Sequence, residues 1–210
     1  MKKIYNKNNF ETINFSNKDK LRKNLEGVYF TDKYTVATDF RTLLKVEVPK
    51  LNADDYPEFL NGQGIYDGKI DFILKAKDLK NVKFLKNKSL LILNDTVVFT
   101  KNDEKTVEIA NTDLSSINKQ NLIKVDEKFP EFEKIIPSEE SLKENYVKIN
   151  IDPEFLEKMA KAMRQINKNN REKFCSIYIN KNENNKAMYF EGLDKVNNQK
   201  AVGLIMPLTM

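Results

Sequence analysis

Apolar residues recur at two spacings along this chain. Between positions 152 and 168, Phe155, Leu156, Met159, Met163 and Ile166 fall three and four apart, while Lys158, Lys161, Arg164 and Lys168 take the opposite face. That period is helical. Asp152 followed by Pro153 gives a start signal, because an Asp side chain caps free N–H groups and Pro fits the first turn. A second, shorter helix is predicted over 76–86, with Leu79, Val82 and Phe84 or Leu85 inward and Lys77, Lys80 and Lys83 outward. Most of the remainder alternates or runs apolar in short stretches, the pattern of strands. One group covers 27–30, 34–38 and 43–48. A second covers 69–74, 89–93, 96–101 and 106–110. A third covers 146–151, 174–179, 187–191 and 201–206. Asn94-Asp95 between two apolar runs reads as a tight hairpin, and Asn102-Asp103 and 182–185 as further turns. Short connections make these strands antiparallel.

An internal repeat follows. Residues 69–110 read strand, helix, three strands, and residues 146–206 read the same. Residues 27–48 give three strands of a similar unit with no convincing helix before them. The stretch 50–68 holds Pro57, Gly62, Gly64 and Gly68 and reads as irregular loop. The polar stretch 138–145 marks the expected boundary between a domain over 1–137 and a partial one over 138–210.

Composition narrows the chemistry. The 210 residues hold 36 Lys and Arg against 31 Asp and Glu, a net charge of +5. That excess permits phosphate contact, although a genome that writes Lys and Asn wherever polarity suffices gives the same balance; Asn167–Asn170 reads that way. There is no histidine, so the commonest general base, the Ser-His and Cys-His pairs and the commonest metal ligand are all missing. The single cysteine, Cys175, rules out an internal disulfide and reads as a small core residue. Gly62-Gln63-Gly64 lacks the context of a phosphate loop. Asp54-Asp55 and Glu139-Glu140 read as solvated neighbours, with no metal-ligand cluster or EF-hand spacing. The first 20 residues contain no apolar leader and no run approaches membrane-spanning length. A cytoplasmic protein without cofactor, and not an enzyme, is expected. The lysine faces of the two helices are either the wet side of amphipathic helices or a shared surface for a phosphate backbone.

Three motifs carry a resemblance. Arg22-Lys23-Asn24-Leu25-Glu26-Gly27-Val28-Tyr29-Phe30 with Val36-Ala37-Thr38-Asp39 resembles the middle-domain signature of the bacterial DNA polymerase sliding clamp, the beta subunit of DNA polymerase III. Phe129-Pro130-Glu131-Phe132-Glu133-Lys134-Ile135-Ile136-Pro137 is similar to a later segment of that family. Leu204-Ile205-Met206-Pro207-Leu208-Thr209-Met210 resembles its Met-Pro ending. The match runs from about residue 20 to 210, in the family's order. It departs after Asp39, where the family has Gly, a polar ring residue and Arg-Leu and this chain has Phe40-Arg41-Thr42-Leu43. The family's first middle-domain helix is absent or replaced by residues 1–17.

The resemblance implies an α+β DNA-clamp (processivity) fold of repeated strand-helix-three-strand units, with antiparallel sheets outside and helices on one face. It implies a shortened clamp, of phage or prophage type, that acts as a replication processivity factor or partner hub. Partners would be double-stranded DNA held without base readout by Lys77, Lys80, Lys83, Lys158, Lys161, Arg164 and Lys168, a DNA polymerase or other clamp-binding-motif protein, and further copies of the chain as a homo-oligomer, with no membrane. Residue matching places Leu43, Pro130, Ile135, Leu204, Met206, Pro207 and Leu208 in a hydrophobic groove for partner peptides, flanked also by Thr38. Methionine suits such an adaptable surface. The alternative is a clamp-fold interaction or decoy protein that never encircles DNA.

Overall fold

The computed structural model describes residues 2–17, 21–57, 64–168, 170–171, 174–180, 182–183, 186–195 and 199–208. Gly62, Gln63, Asn184, Asn185, Thr209 and Met210, singled out in the sequence, lie outside them. The chain forms two compact units, Met1–Glu131 and Phe132–Met210.

The first unit is an eight-stranded antiparallel sheet. Its strands are β1 (Ile4–Asn6), β2 (Gly27–Thr31), β3 (Tyr34–Thr38), β4 (Leu43–Glu47), β5 (Asp71–Lys75), β6 (Thr96–Asn102), β7 (Thr106–Thr112) and β8 (Ile117–Val125), in the order β1-β6-β7-β8-β5-β2-β3-β4. Helix α1 (Lys7–Phe10) continues as a 3-10 turn over Glu11–Phe15, and α2 (Ala76–Leu79) follows β5. The unit is therefore two strand-helix-three-strand repeats that exchange their first strands. β1 of the first repeat lies on β6 of the second, with Tyr5 opposite Val97. β5 of the second lies on β2 of the first, with Leu74 opposite Val28. Alternation then sends Tyr5, Val28, Leu74, Val97 and Phe99 into one core. There Tyr5, Phe30, Phe72 and Phe99 meet edge to face, at centroid distances of 5.1–5.6 Å for the Tyr5–Phe30, Tyr5–Phe99, Phe30–Phe99 and Phe72–Phe99 pairs. Gly27 allows the close approach of β2 to β5, since a Cβ there would lie 2.3 Å from the carbonyl oxygen of Leu74.

Residues 1–17 thus supply the strand and helix that the sequence pattern left out of the first repeat. Three other expectations are corrected. The helix expected over 76–86 ends at Leu79. At and beyond its end, side chains of β7 and β8 bond the backbone: Gln120 donates to the carbonyl of Asp78 at 3.4 Å, and Asn118 (3.2 Å) and Asn111 donate to that of Lys83. The strand expected over 89–93 is a 3-10 turn, Leu91–Leu93, that drops Leu93 into the core, so Asn94-Asp95 makes no hairpin. Asp95 instead holds φ 55° just before β6. The third strand of this repeat is β8, whose Asn- and Lys-rich sequence hid it.

The second unit holds α3 (Glu139–Asn145), α4 (Pro153–Ile166) and the sheet β11-β10-β9, from β9 (Ser176–Tyr178), β10 (Met188–Asp194) and β11 (Gln199–Ile205). Asp152 caps α4 through a 2.8 Å bond from the Glu154 N–H. Ser138 caps α3, the stretch expected as a boundary. Met163 of α4 packs with Met188, Phe190 and Ile205, with Ile149, Ile151, Met159, Ile166 and Cys175 alongside. Residues 146–151, expected as a strand, form none among the described residues; the Leu208 N–H donates to the Asn150 carbonyl at 2.8 Å. Asn167 and Asn170 are buried fasteners: Asn167 donates to the Phe174 carbonyl at 2.7 Å, while Asn170 donates to that of Leu193 and accepts from the Lys195 N–H at 2.8 Å.

Candidate functional site

The second unit contains a cleft of about 460 Å³ lined by Phe155, Lys158, Met159, Ala162, Leu204, Ile205 and Met206. The helix supplies one wall and the end of β11 the other. Alternation along β11 turns Ile205 inward, 4% exposed, and leaves Leu204 and Met206 61% and 64% exposed. Gly203 brings the walls together, because a Cβ there would lie 2.4 Å from the end of the Met159 side chain. Two flexible thioethers, one open ring and one lysine at the rim make a lining that adapts to apolar side chains.

Of the groove residues expected from the sequence, Leu204 and Met206 share this cleft. Pro207 follows, half-buried, and Leu208 is exposed. Ile135 ends a 3-10 turn in the same unit and is 70% exposed. Leu43 and Pro130 belong to the first unit and are half-buried there; Leu43 opens β4 opposite Thr38. Phe155, Met159 and Ala162 were not expected as lining. Phe155 and Met159 read as part of one apolar stripe and Ala162 was not singled out, whereas Phe155 stands in the first turn of α4 and is 53% exposed.

The lysines are placed as follows. Lys77 lies on α2 and Lys80 caps its end, while Lys83 lies on the irregular chain beyond; all three are exposed. On α4, Lys161 and Arg164 are exposed, and Lys161 pairs with Glu157 at 2.7 Å; the helix ends at Ile166, short of the expected 168, so Lys168 lies just past it, also exposed. Lys158 borders the apolar cleft.

One loop of the resemblance has a clear geometry. Asp39 accepts from the N–H groups of Arg41 (3.0 Å) and Thr42 (2.7 Å) and from the Thr42 hydroxyl (2.9 Å). These bonds, chiefly those from Thr42, hold its carboxyl below the usual range. The turn sets Phe40 at φ 74°, the conformation that glycine adopts freely. Phe40 stands where the clamp signature has glycine, and the Arg22 guanidinium covers its ring at 4.1 Å. The same turn recurs at Thr112–Ser116, with Leu114 at φ 73°.

Among the described residues no group of three or more His, Cys, Asp and Glu could hold a metal ion, and no helix is long and apolar enough to cross a membrane. No protein-family model and no curated protein sequence matches the chain. Solved structures do. The DNA polymerase sliding clamp from Bacillus subtilis matches with a TM-score of 0.64 at 14% identity, over 99% of this chain and 49% of that one. A putative DNA polymerase III beta subunit from Eubacterium rectale matches with a TM-score of 0.58 at 12% identity, over 99% of this chain and 50% of that one. The chain spans about half the length of these proteins. Exchanged strand-helix-three-strand repeats, helices against antiparallel sheets and these matches together give the chain the fold of the bacterial DNA polymerase sliding clamp.

Proposed function

We propose that this chain is a clamp-like processivity factor or partner hub, which docks a short peptide of a DNA polymerase or similar protein and touches duplex DNA without reading sequence. The observation that carries this reading is the cleft of Phe155, Met159, Leu204 and Met206 at the close of a clamp fold. Its work is tethering rather than chemistry. A tethered partner gains effective concentration on DNA, so modest cleft affinity suffices. Exposed Lys77, Lys80, Lys83, Lys161, Arg164 and Lys168 supply phosphate contacts weak enough to allow sliding. A homo-oligomer would supply the length that one chain lacks.

The test is binding of a fluorescent clamp-binding-motif peptide to the wild type and to Met206→Ala with Leu204→Ala. Loss of binding with an unchanged circular-dichroism spectrum is the expected result; undiminished affinity overturns the cleft assignment. A second reading, a clamp-fold decoy that does not encircle DNA, is favoured by the chain's span of about half a clamp. Retention on circular duplex that is lost when the circle is cut separates the two.

A further inference from the structure

The first unit contains a template for something the second unit lacks. In the first unit each initial strand pairs with the first of the three later strands of the other repeat, β1 with β6 and β5 with β2. β5 lies between β8 and β2, with Ile73 opposite both Val125 and Tyr29. β6 lies between β7 and β1. The second unit is one repeat of the same kind: an initial segment at 146–151, helix α4, then three strands. The Leu208 N–H meets the Asn150 carbonyl as the end of β8 meets β5, so one side of 146–151 has its counterpart neighbour. The side that carries β2 in the first unit has none among the described residues. Likewise β9 pairs with β10, as β6 pairs with β7, and has no strand in the place of β1.

Exposure follows the missing neighbours. In the first unit Val97, Val98 and Phe99 of β6 are at most 1% exposed, and Phe72, Ile73 and Leu74 of β5 at most 7%. In the second unit Ile177 and Tyr178 of β9 are 48% and 55% exposed, and Tyr146 and Val147 are 57% and 43%. The sequence Tyr146-Val147-Lys148-Ile149-Asn150-Ile151 alternates as a strand should, and Ile149 and Ile151 already pack on the Met163 core. It is a strand in pattern without a strand to pair with.

We infer that two copies of this chain pair through their second units by reciprocal exchange, residues 146–151 of each copy lying antiparallel along β9 of the other. The two open edges are complementary under a two-fold axis, as β1–β6 and β5–β2 are within the first unit, and one exchange closes both. The paired half-units then reproduce one complete eight-stranded unit. One detail differs. The helix starts Lys7 and Ala76 each donate an N–H across the exchange, and Pro153 at the equivalent place has none, so the ladder and apolar burial carry the pairing. The inference rests on the fold and not on the peptide or DNA reading.

The test is multi-angle light scattering on the full chain over a wide concentration range, on wild type and on two variants with a buried charge at either side of the junction, Val147→Lys and Ile177→Lys. The wild type is expected to run at twice the chain mass and each variant at the chain mass, with circular dichroism unchanged. Mixing the two variants is expected to restore the doubled mass, because one of the two junctions in a mixed pair is then wild type. Hydrogen exchange on the wild type gives a readout free of variants: amides of 146–151 and 176–178 should slow together as concentration rises. A wild type that stays monomeric, variants that still pair, a mixture that stays monomeric, or exchange in these segments that ignores concentration would each overturn the proposal.

Discussion

The amide of Lys7 donates to the carbonyl of Asp95 at 2.8 Å, and this bond has a twin, Ala76 to Glu26 at 3.1 Å. Each joins the first residue of a helix to the residue before a strand of the other repeat. The exchange of first strands is therefore repeated down to a backbone hydrogen bond, and residues 1–17 are integral to the first unit.

Tyr5 follows as the residue to test. It is fully buried against Phe30 and Phe99, and its hydroxyl donates to the Thr31 carbonyl at 2.8 Å. Tyr5→Ala should cost about 3–5 kcal/mol, as removal of a large buried ring does. Tyr5→Phe should cost only about 1 kcal/mol, for one hydrogen bond. Urea melts of the two variants check the difference.

Gly27 should tolerate no side chain. Its added Cβ would meet backbone, at 2.3 Å from the Leu74 oxygen, and backbone in a paired strand has little room to yield. Gly27→Ala is expected to destabilise by about 3 kcal/mol, the upper range for overpacking. Gly203→Ala presses instead on the flexible end of Met159, so its expected effect is a reshaped cleft and altered peptide affinity with little change in melting.

Leu114 sits at φ 73° and is 56% exposed, so its backbone is strained and its side chain buries little. Leu114→Gly should raise stability by roughly 0.5–1 kcal/mol, the αL penalty less the entropy that glycine adds to the unfolded chain. Thermal melts measure it; a loss of stability would show that the leucine packs usefully.

The Asp113 carboxyl, bonded by Ser115 and Ser116, has its pKa lowered from 3.8 to about 2. The ionised form is the one the turn favours, so its stabilisation is complete above pH 3.8 and is lost as pH falls through about 2. NMR titration of the Ser115 and Ser116 amides should show a midpoint near 2; a midpoint at the ordinary 3.8 would mean the turn is not formed as described.

Period two and the α4 stripe made β2, β3, β4, β5, β6, β7, β9, β10, β11 and the long helix legible from sequence. The clamp fold came from three short motifs. The elements that escaped did so for physical reasons. β1 has three residues, too few to show a period. β8 spends Gln120 on the last turn of α2 and Asn118 on the chain beyond it, which makes a strand look like loop. Leu90-Leu91-Ile92-Leu93 is a short apolar run that periodicity cannot assign, and tertiary packing made it a turn. In the cleft, Leu204 and Met206 were readable from the chain's close, while Phe155 was hidden because a ring on an apolar stripe reads as core. Asn167 and Asn170 looked like filler until their partners were visible.

The β1–β6 pairing also sets an order of events during synthesis. Ile4 lies opposite Val98, 94 positions later, so β1 leaves the ribosome well before the strand it pairs with. The β2–β3–β4 meander can close as it emerges. Such a distant pairing forms slowly, because a long loop must close before any contact rewards it. Until then the nascent segment carrying Tyr5 and Phe10 stays uncovered, the stretch of translation when a chaperone would have most to hold.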